Sequence, residues 1–465
     1  MKVIKIGGGC LKGKENVKSV LALIAARGAG DVFVVSALGG VTDMLLDGAA
    51  EALADEERIP DIVARLRNEH LTAARHVIVD GEKLKEFNNH LNKIMDQLAR
   101  WFYGLNFTRE FSPRLRDVIS CQGEGLSACL LAMALQSRGL AADSRDPRDI
   151  GIISDGRFGD ASANMKKTSQ NLQQNLRPLL DPKGYMFIPG FYGVNEEGDI
   201  TTFGRGGSDY SAAVVAAALE ADILETWKDV AGFMSADPKF VPEAQLIPSL
   251  SYEEAAELAY FGAKILHPRT IEPLRESGLN IAVKNTLDPD APGTLITAKG
   301  DKPKNVVKSV AYDTDIGVLK IHGSGVGARP GILATITGLL SGGGINIRSV
   351  ITSQTCISLL LSHRDLDKGY KALQGKDPKP FLHLEKIENL ALVGIVGEGL
   401  SQQKGIAARC FSAVADSDVN IEMISFGPSR VALYFLLVDQ DLTTALKAIH
   451  RTFFQGLGDE VGRAE

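Results

Sequence analysis

The chain has 465 residues, 45% hydrophobic and 23% charged, with a mean hydropathy of +0.01. At about 150 residues per domain this allows about three domains, and the composition excludes disorder, a collagen-like repeat and a membrane-embedded body. With 51 Lys and Arg against 57 Asp and Glu the net charge is −6 and the pI near 5.9, which leaves no electrostatic footprint for nucleic acid or an anionic membrane surface. Glycine is the one skewed count, 48 of 465 against about 7% in ordinary proteins, and it falls in short clusters between apolar runs.

In chain order, Val3-Ile4-Lys5-Ile6 reads as a strand that ends in the Gly7-Gly8-Gly9 loop. Residues 14–28 follow as a helix, with Val17, Val20, Leu21 and Ile24 at helical spacing. Val32 to Val35 is an apolar run without alternation, the pattern of a strand covered on both faces. Residues 50–138 are mostly helical, and strand-like runs return at Ile150–Ile153, Tyr185–Ile188, Ile223–Trp227 and Ile281–Val283. This β-α alternation predicts a three-layer α/β domain over roughly the first 295 residues. The last third carries an internal repeat. Gly331-Ile332 recurs as Gly405-Ile406, Ile345-Asn346-Ile347 as Val419-Asn420-Ile421, and Leu359-Leu360-Leu361 as Leu433-Tyr434-Phe435, each 74 residues on. Two copies of a strand–helix–strand–strand–helix unit are predicted, with Lys371 to Pro380 as their connector.

The start of the chain has no apolar signal region, no apolar run approaches the 18 or so residues of a membrane span, and the five scattered cysteines include no C-x-x-C pair. The eight histidines form no H-E-x-x-H pattern. The expectation is a reduced, cytoplasmic protein with no disulfide, no structural metal and no metal-ligating set.

Four glycine-flanked clusters carry the candidate chemistry. Gly8 to Lys14 satisfies G-x-x-x-x-G-K, but Glu15 stands where a P-loop needs Ser or Thr and would repel a triphosphate. Two other readings remain for this fragment: Gly7 to Gly9 presenting N–H groups to phosphate beside Lys5, or a plain glycine turn. In the second cluster, Phe203-Gly204-Arg205-Gly206-Gly207-Ser208-Asp209 leads into the alanine-rich run Ser211 to Leu219, a predicted buried helix. Its free N-terminal N–H groups suit an anion and Arg205 suits a carboxylate, whereas Asp209 requires a cation such as Lys5 or a bound Mg²⁺. The bland alternative is Ser208 or Asp209 as an N-cap. Trp227 to Lys239 and Phe261 to Pro268 are the third and fourth clusters; the first and third fall just past strand ends, where open α/β sheets bind ligands.

Together these segments resemble the aspartate kinases, members of the amino acid kinase family with a C-terminal pair of ACT domains, and the likeness runs nearly end to end. Its carriers are Lys5-Ile6-Gly7-Gly8, Ser36 to Asp43, Gly123-Glu124, Phe203 to Asp209, Asp229-Val230 with Gly232, Asp237-Pro238, and Phe261 to Pro268. The resemblance implies an α/β fold: a three-layer amino acid kinase sheet domain (1–297), then two ferredoxin-like βαββαβ ACT domains (298–380 and 381–465). It implies phosphoryl transfer from MgATP to the side-chain carboxylate of L-aspartate, giving 4-phospho-L-aspartate, the first step of lysine, threonine and methionine biosynthesis, with feedback inhibition through the ACT domains.

By the same resemblance, Lys5, Asp209 and Lys264 are catalytic, and Ser36, Thr42, Glu124, Arg205 and Ser208 bind substrate. Lys5, Gly7, Gly8, Lys228, Asp229, Met234, Lys239, Lys264 and Ile265 bind nucleotide, and Mg²⁺ rides on the phosphates with no protein ligand named. Gly331, Ile332, Asn346, Gly405 and Asn420 mark the region for an amino-acid effector, favoured at one ACT copy because Ser353-Gln354-Thr355 differs from Gly427-Pro428-Ser429. A homodimer or larger homo-oligomer through the ACT domains is implied. The chain departs from the family pattern at Gly9-Cys10 (usually Thr-Ser), Gly125 (usually Arg), Lys228 (usually Thr), Met234 (usually aromatic) and Lys239 (usually Arg). The alternatives are a ligand-sensing pseudokinase and a related acidic-amino-acid kinase.

Overall fold

The computed structural model describes residues 1–262, 265–300, 306–326, 329–375 and 381–455. In chain order its elements begin with β1 (Val3–Ile6), α1 (Lys14–Arg27) and β2 (Val32–Val35). A helical stretch follows: α2 (Val41–Ala54), α3 (Ile59–Val77), α4 (Gly81–Thr108), α5 (Pro113–Ser120) and α6 (Gln122–Gln136). Then come β3 (Ala142–Ser144), α7 (Pro147–Ile150), α8 (Met165–Asn171), β4 (Tyr185–Pro189), the hairpin β5 (Tyr192–Val194) and β6 (Ile200–Thr202), α9 (Gly207–Ala218) and β7 (Leu224–Lys228). The sheet domain ends with β8 (Ser249–Ser251), α10 (Tyr252–Tyr260), α11 (Glu272–Ser277), β9 (Ile281–Asn285) and β10 (Thr294–Thr297). The chain divides into two compact units, one of residues 1–233, 246–256 and 264–301, the other of 234–245, 257–263 and 302–465.

In the first unit eight strands form one sheet in the order β3-β4-β2-β1-β7-β9-β10-β8, parallel from β3 to β9 and with β10 antiparallel to β9. The pleat sends alternate side chains of β1 to opposite faces. Ile4 and Ile6 join Phe33 and Val35 in the large core packed by α1 to α6, while Lys5 faces α9. Both faces being covered explains the unbroken apolar run of β2. The α5–α6 stretch Pro113–Gln136 is long and apolar enough by composition to cross a bilayer, which the run-by-run reading missed; 78% of its most apolar window is buried inside the protein.

The predicted strand at Ile150–Ile153 is not one. Asp146 caps a helical turn there, its carboxylate accepting from the Arg148 N–H with Pro147 in first position, and Ile153 makes only an isolated bridge to Val194. That Asp-Pro pair is itself a helix-start signal.

The second unit contains β11 (Ser309–Asp313), β12 (Gly317–His322), α12 (Ile332–Gly342), β13 (Ile347–Thr352), β14 (Cys356–Leu361), α13 (His363–Gln374), β15 (His383–Ile387), β16 (Leu390–Val396), α14 (Ile406–Ala415), β17 (Met423–Phe426), β18 (Ala432–Val438) and α15 (Leu442–Phe454). These build two four-stranded antiparallel sheets, β13-β14-β12-β15 and β11-β16-β18-β17. The repeat spacing holds: α12 and α14 begin 74 residues apart. The expected boundary at 380/381 does not follow the sheets. β15, beyond it, closes the first sheet against β12, and β11, far before it, closes the second against β16. The expected connector is also partly helical, since α13 takes Lys371 to Gln374, and 376–380 lie outside the described residues.

Candidate active site

The carboxyl ends of β1, β2, β4 and β7 share one edge of the parallel sheet, and the chain leaves β1 and β2 through glycine-bearing loops into helical turns. Both of these turns, and α9 after the β5–β6 hairpin, start at glycine with no side-chain cap: Gly8–Leu11 behind Gly7, α2 behind Gly40 and α9 behind Gly206. Uncapped helix starts present free N–H groups and a partial positive charge, the standard cradle for phosphate or carboxylate. They line one cleft of about 550 Å³ with Lys5, Gly8, Lys12, Ser36, Thr42, Asp43, Glu124, Phe191, Arg205, Ser208 and Asp209 among its walls. Most of the expected substrate and phosphate residues are thus brought together.

The P-loop reading fails on this geometry. Lys14 opens α1 and is exposed, and Glu15 pairs with His76 at 3.2 Å. Nor do Ser208 or Asp209 cap α9; Gly206 does, in the left-handed region at φ 73°. A Cβ on Gly206 would lie 2.4 Å from the His267 ring and side-chain stem. Gly206→Ala is therefore expected to cost about 1–3 kcal/mol, read as a lower urea midpoint at constant slope; an unchanged midpoint would contradict this placement.

At the floor of the cleft, Lys5 Nζ is 2.7 Å from Asp209 Oδ1, and Lys228 Nζ is 3.3 Å from Asp209 Oδ2. Lys5 and Asp209 are nearly inaccessible, and the Lys228 side chain is 15% exposed. Burial by itself would push the Asp209 carboxyl up, but the Lys5 and Lys228 ammoniums outweigh it and hold the group below the usual carboxylate range. Burial and the Lys5 charge pull the Lys228 ammonium below its ordinary value, against the attraction of Asp209. The sequence reading paired Asp209 with Lys5 but left out this second partner.

Glu124, in the first turn of α6, is the second buried acid on the walls of this cleft. Its carboxylate accepts from its own N–H and from that of Ala37, while Oε2 has no partner among the described residues. Burial pushes its carboxyl up to about 8, only partly offset by those bonds and by Lys5. A buried oxygen with an unmet hydrogen bond, facing a polar cleft, is a site waiting for a cation.

Phe191 is a wall residue that sequence reasoning did not find. It holds a positive φ of 80°, its N–H donates to Ser211 Oγ at 2.9 Å, and its ring lies where a Cβ on Gly207 would meet it at 2.8 Å. Strained backbone of this kind clusters at functional sites, and its only sequence signal was the preceding Gly190. Arg205 is exposed at the mouth.

Of the expected nucleotide residues, Asp229 is exposed beside the glycine loop, 3.2 Å from where a Cβ on Gly9 would stand. Ile265 is half-buried, and Lys264 lies outside the described residues. Met234 and Lys239 belong to the second unit, on a segment whose Ala236 and Val241 enter that unit's core. Within that unit, Gly331 and Gly405 are the left-handed caps of α12 and α14, at φ 90° and 86°, directly before Ile332 and Ile406. Asn346 is exposed, and Asn420 donates to Glu422 at 3.2 Å.

Residues 1–285 match the amino acid kinase family, and residues 312–375 and 393–453 each match an ACT domain. Aspartokinase 1 of Arabidopsis thaliana is 30% identical over 97% of this chain and 80% of its own length. The chain spans about half the length of a bifunctional aspartokinase/homoserine dehydrogenase of the same plant, at 28% identity over 97% of the chain. Among solved structures, E. coli aspartokinase III in complex with aspartate and ADP superimposes with a TM-score of 0.81 at 28% identity, covering 98% of this chain and 100% of that one. The same protein with lysine and aspartate gives 0.82 at 28% identity and the same coverage.

Proposed function

The chain belongs to the amino acid kinase family and, within it, to the aspartokinases, and from that premise we propose that it transfers the γ-phosphoryl group of ATP to the side-chain carboxylate of L-aspartate. The products are 4-phospho-L-aspartate and ADP. The observation that carries this reading is the cleft itself, where the Lys5–Asp209 pair lies among three uncapped helix starts with Glu124 and Arg205 on the same walls.

The chemistry asks little of a base. A carboxylate with pKa near 4 is already ionised at pH 7 and attacks the γ-phosphorus directly. The bond from phosphorus to the β,γ-bridging oxygen breaks, and its electron pair leaves with ADP. What the site must do is hold two anions together and stabilise the spread charge of the transferring group. Lys5 and the Gly8 N–H meet that demand, with Asp209 holding Lys5 in place; the Gly7 N–H is committed to the Trp227 carbonyl. Arg205 takes the substrate α-carboxylate in a two-point contact, and the orphan Glu124 oxygen takes its ammonium. Ser36, Thr42 and Ser208 add hydrogen bonds from the walls. Mg²⁺ bound to the nucleotide phosphates would supply charge withdrawal there.

An amino-acid effector at the helix starts behind Gly331 and Gly405, and a homodimer made through the ACT domains, complete the proposal. E. coli aspartokinase III with lysine bound supports the first. For the second, the edge strands β13 and β17 leave Val350, Ile424 and Phe426 exposed.

Incubation with MgATP and aspartate, followed by hydroxylamine, is expected to trap aspartyl hydroxamate. No hydroxamate at any aspartate concentration would overturn the assignment, and hydroxamate from glutamate alone would transfer it to another acid.

A further inference from the structure

Asp209 carries one negative charge and touches two ammoniums, buried Lys5 on one oxygen and largely covered Lys228 on the other. With its carboxyl held in the ionised form, the three side chains leave one surplus positive charge under the cleft floor. Buried charge without a counter-ion is costly, so a surplus held this way is stabilised when an anion arrives. The surplus sits at the carboxyl ends of β1 and β7, which are paired in register Lys5↔Thr226 and Ile6↔Trp227, with Lys228 one residue past the pairing. The Gly7 N–H is fixed in the same place by donating to the Trp227 carbonyl at 3.2 Å. Lys228 is the more exposed of the two lysines, 15% against 6%, so it is the partner with room to turn away while Lys5 stays enclosed.

Resting on the kinase reading above, we infer that Lys228 is a resident phosphate counter-charge. It rests on Asp209 and swings to the donor's phosphate oxygens on binding, so that the nucleotide is held without its divalent cation nearly as well as with it. Asp209 then remains paired with Lys5 alone. An ammonium on a flexible four-carbon stem suits such a transfer between two oxygen partners better than a rigid guanidinium fork or a hydroxyl.

Calorimetric titration of the full chain with ADP, once in excess MgCl₂ and once in EDTA, tests this. Wild type is expected to bind metal-free ADP within about tenfold of Mg·ADP. Lys228→Gln and Lys228→Thr are each expected to lose tenfold to a hundredfold in the EDTA arm, as for removal of a charged hydrogen-bond partner, and severalfold or less with MgCl₂. Lys228→Arg should recover part of the EDTA affinity, which a merely structural lysine would not do. Equal losses in both arms, or wild-type affinity in the EDTA arm of a folded Gln or Thr variant, would overturn the inference. Wild-type protein that binds ADP in neither arm and forms no hydroxamate would overturn the kinase reading itself.

Discussion

Replacing Lys5 by methionine is expected to lower kcat by about a thousandfold or more, yet to shift the thermal midpoint by only a few degrees. The first half follows from the charge Lys5 brings to the transferring phosphoryl group, since preorganised donors at such positions contribute about 10²–10³ each and Lys5 also anchors the phosphates. The second half is not what burial alone suggests. Deleting one partner of a buried ion pair ordinarily costs about 3–5 kcal/mol, because the other charge is left stranded. Here Asp209 keeps Lys228 at 3.3 Å, and the substitution removes the surplus positive charge rather than creating a surplus negative one. The double replacement of Lys5 and Lys228 strands Asp209 and should melt far lower than the two single effects added together. Steady-state kinetics and a thermal melt on the three variants check both halves. A Lys5→Met protein with near-wild-type turnover, or a double variant as stable as the sum predicts, would refute this account of the site.

The Glu124→Gln variant is expected to lose aspartate affinity by at least about a hundredfold while becoming the more stable protein at alkaline pH. The cleft holds this carboxyl at about 8, well above the ordinary value of 4.5. An acid whose pKa is raised by folding binds a proton in the native state that the unfolded chain has already released. Its contribution therefore falls as pH rises through the window from 4.5 to 8 and is fully lost above it. The neutral amide escapes that loss. The two proteins should melt together near pH 4.5 and separate progressively toward pH 8.5, with the variant higher by several degrees, the shift expected for about 5 kcal/mol. The same titration governs binding, because the substrate ammonium needs the carboxylate. Wild-type KM for aspartate is expected to fall as pH rises from 6 to 8, with close to one proton released on binding at pH 7. A pH-independent gap between the melts would show that Glu124 is not the buried titrating group.

Much of the catalytic unit was legible because its signals are local. The unbroken apolar run of Val32 to Val35, the alanine-rich α9 and the helical spacing of Val17 to Ile24 each sit within one element. The Gly204–Gly207 cluster marked its own helix start. What escaped were features made by pairing distant segments. The three-residue strands β3, β5, β6 and β8 are too short to show any period. The second lysine on Asp209 depends on β7 lying beside β1, which no spacing within either strand records. Phe191 carries its meaning in a backbone angle. The repeat revealed two similar modules, yet the strand that closes each sheet lies outside the five shared elements, so its ownership was unreadable.

That ownership has a consequence for how the chain is made. β11 leaves the ribosome before the whole of the first ACT sheet, but its partner β16 emerges only some 80 residues later, since Ser309 pairs with Val396. At about 5–20 residues per second the strand waits several seconds with an unsatisfied edge, in the company of a newly formed sheet that could accept it wrongly. A fragment beginning at 381 would be born with the opposite defect, its second sheet short of an edge strand. Dissecting the ACT-domain half into two expressible pieces therefore requires carrying Ser309–Asp313 across to the second piece.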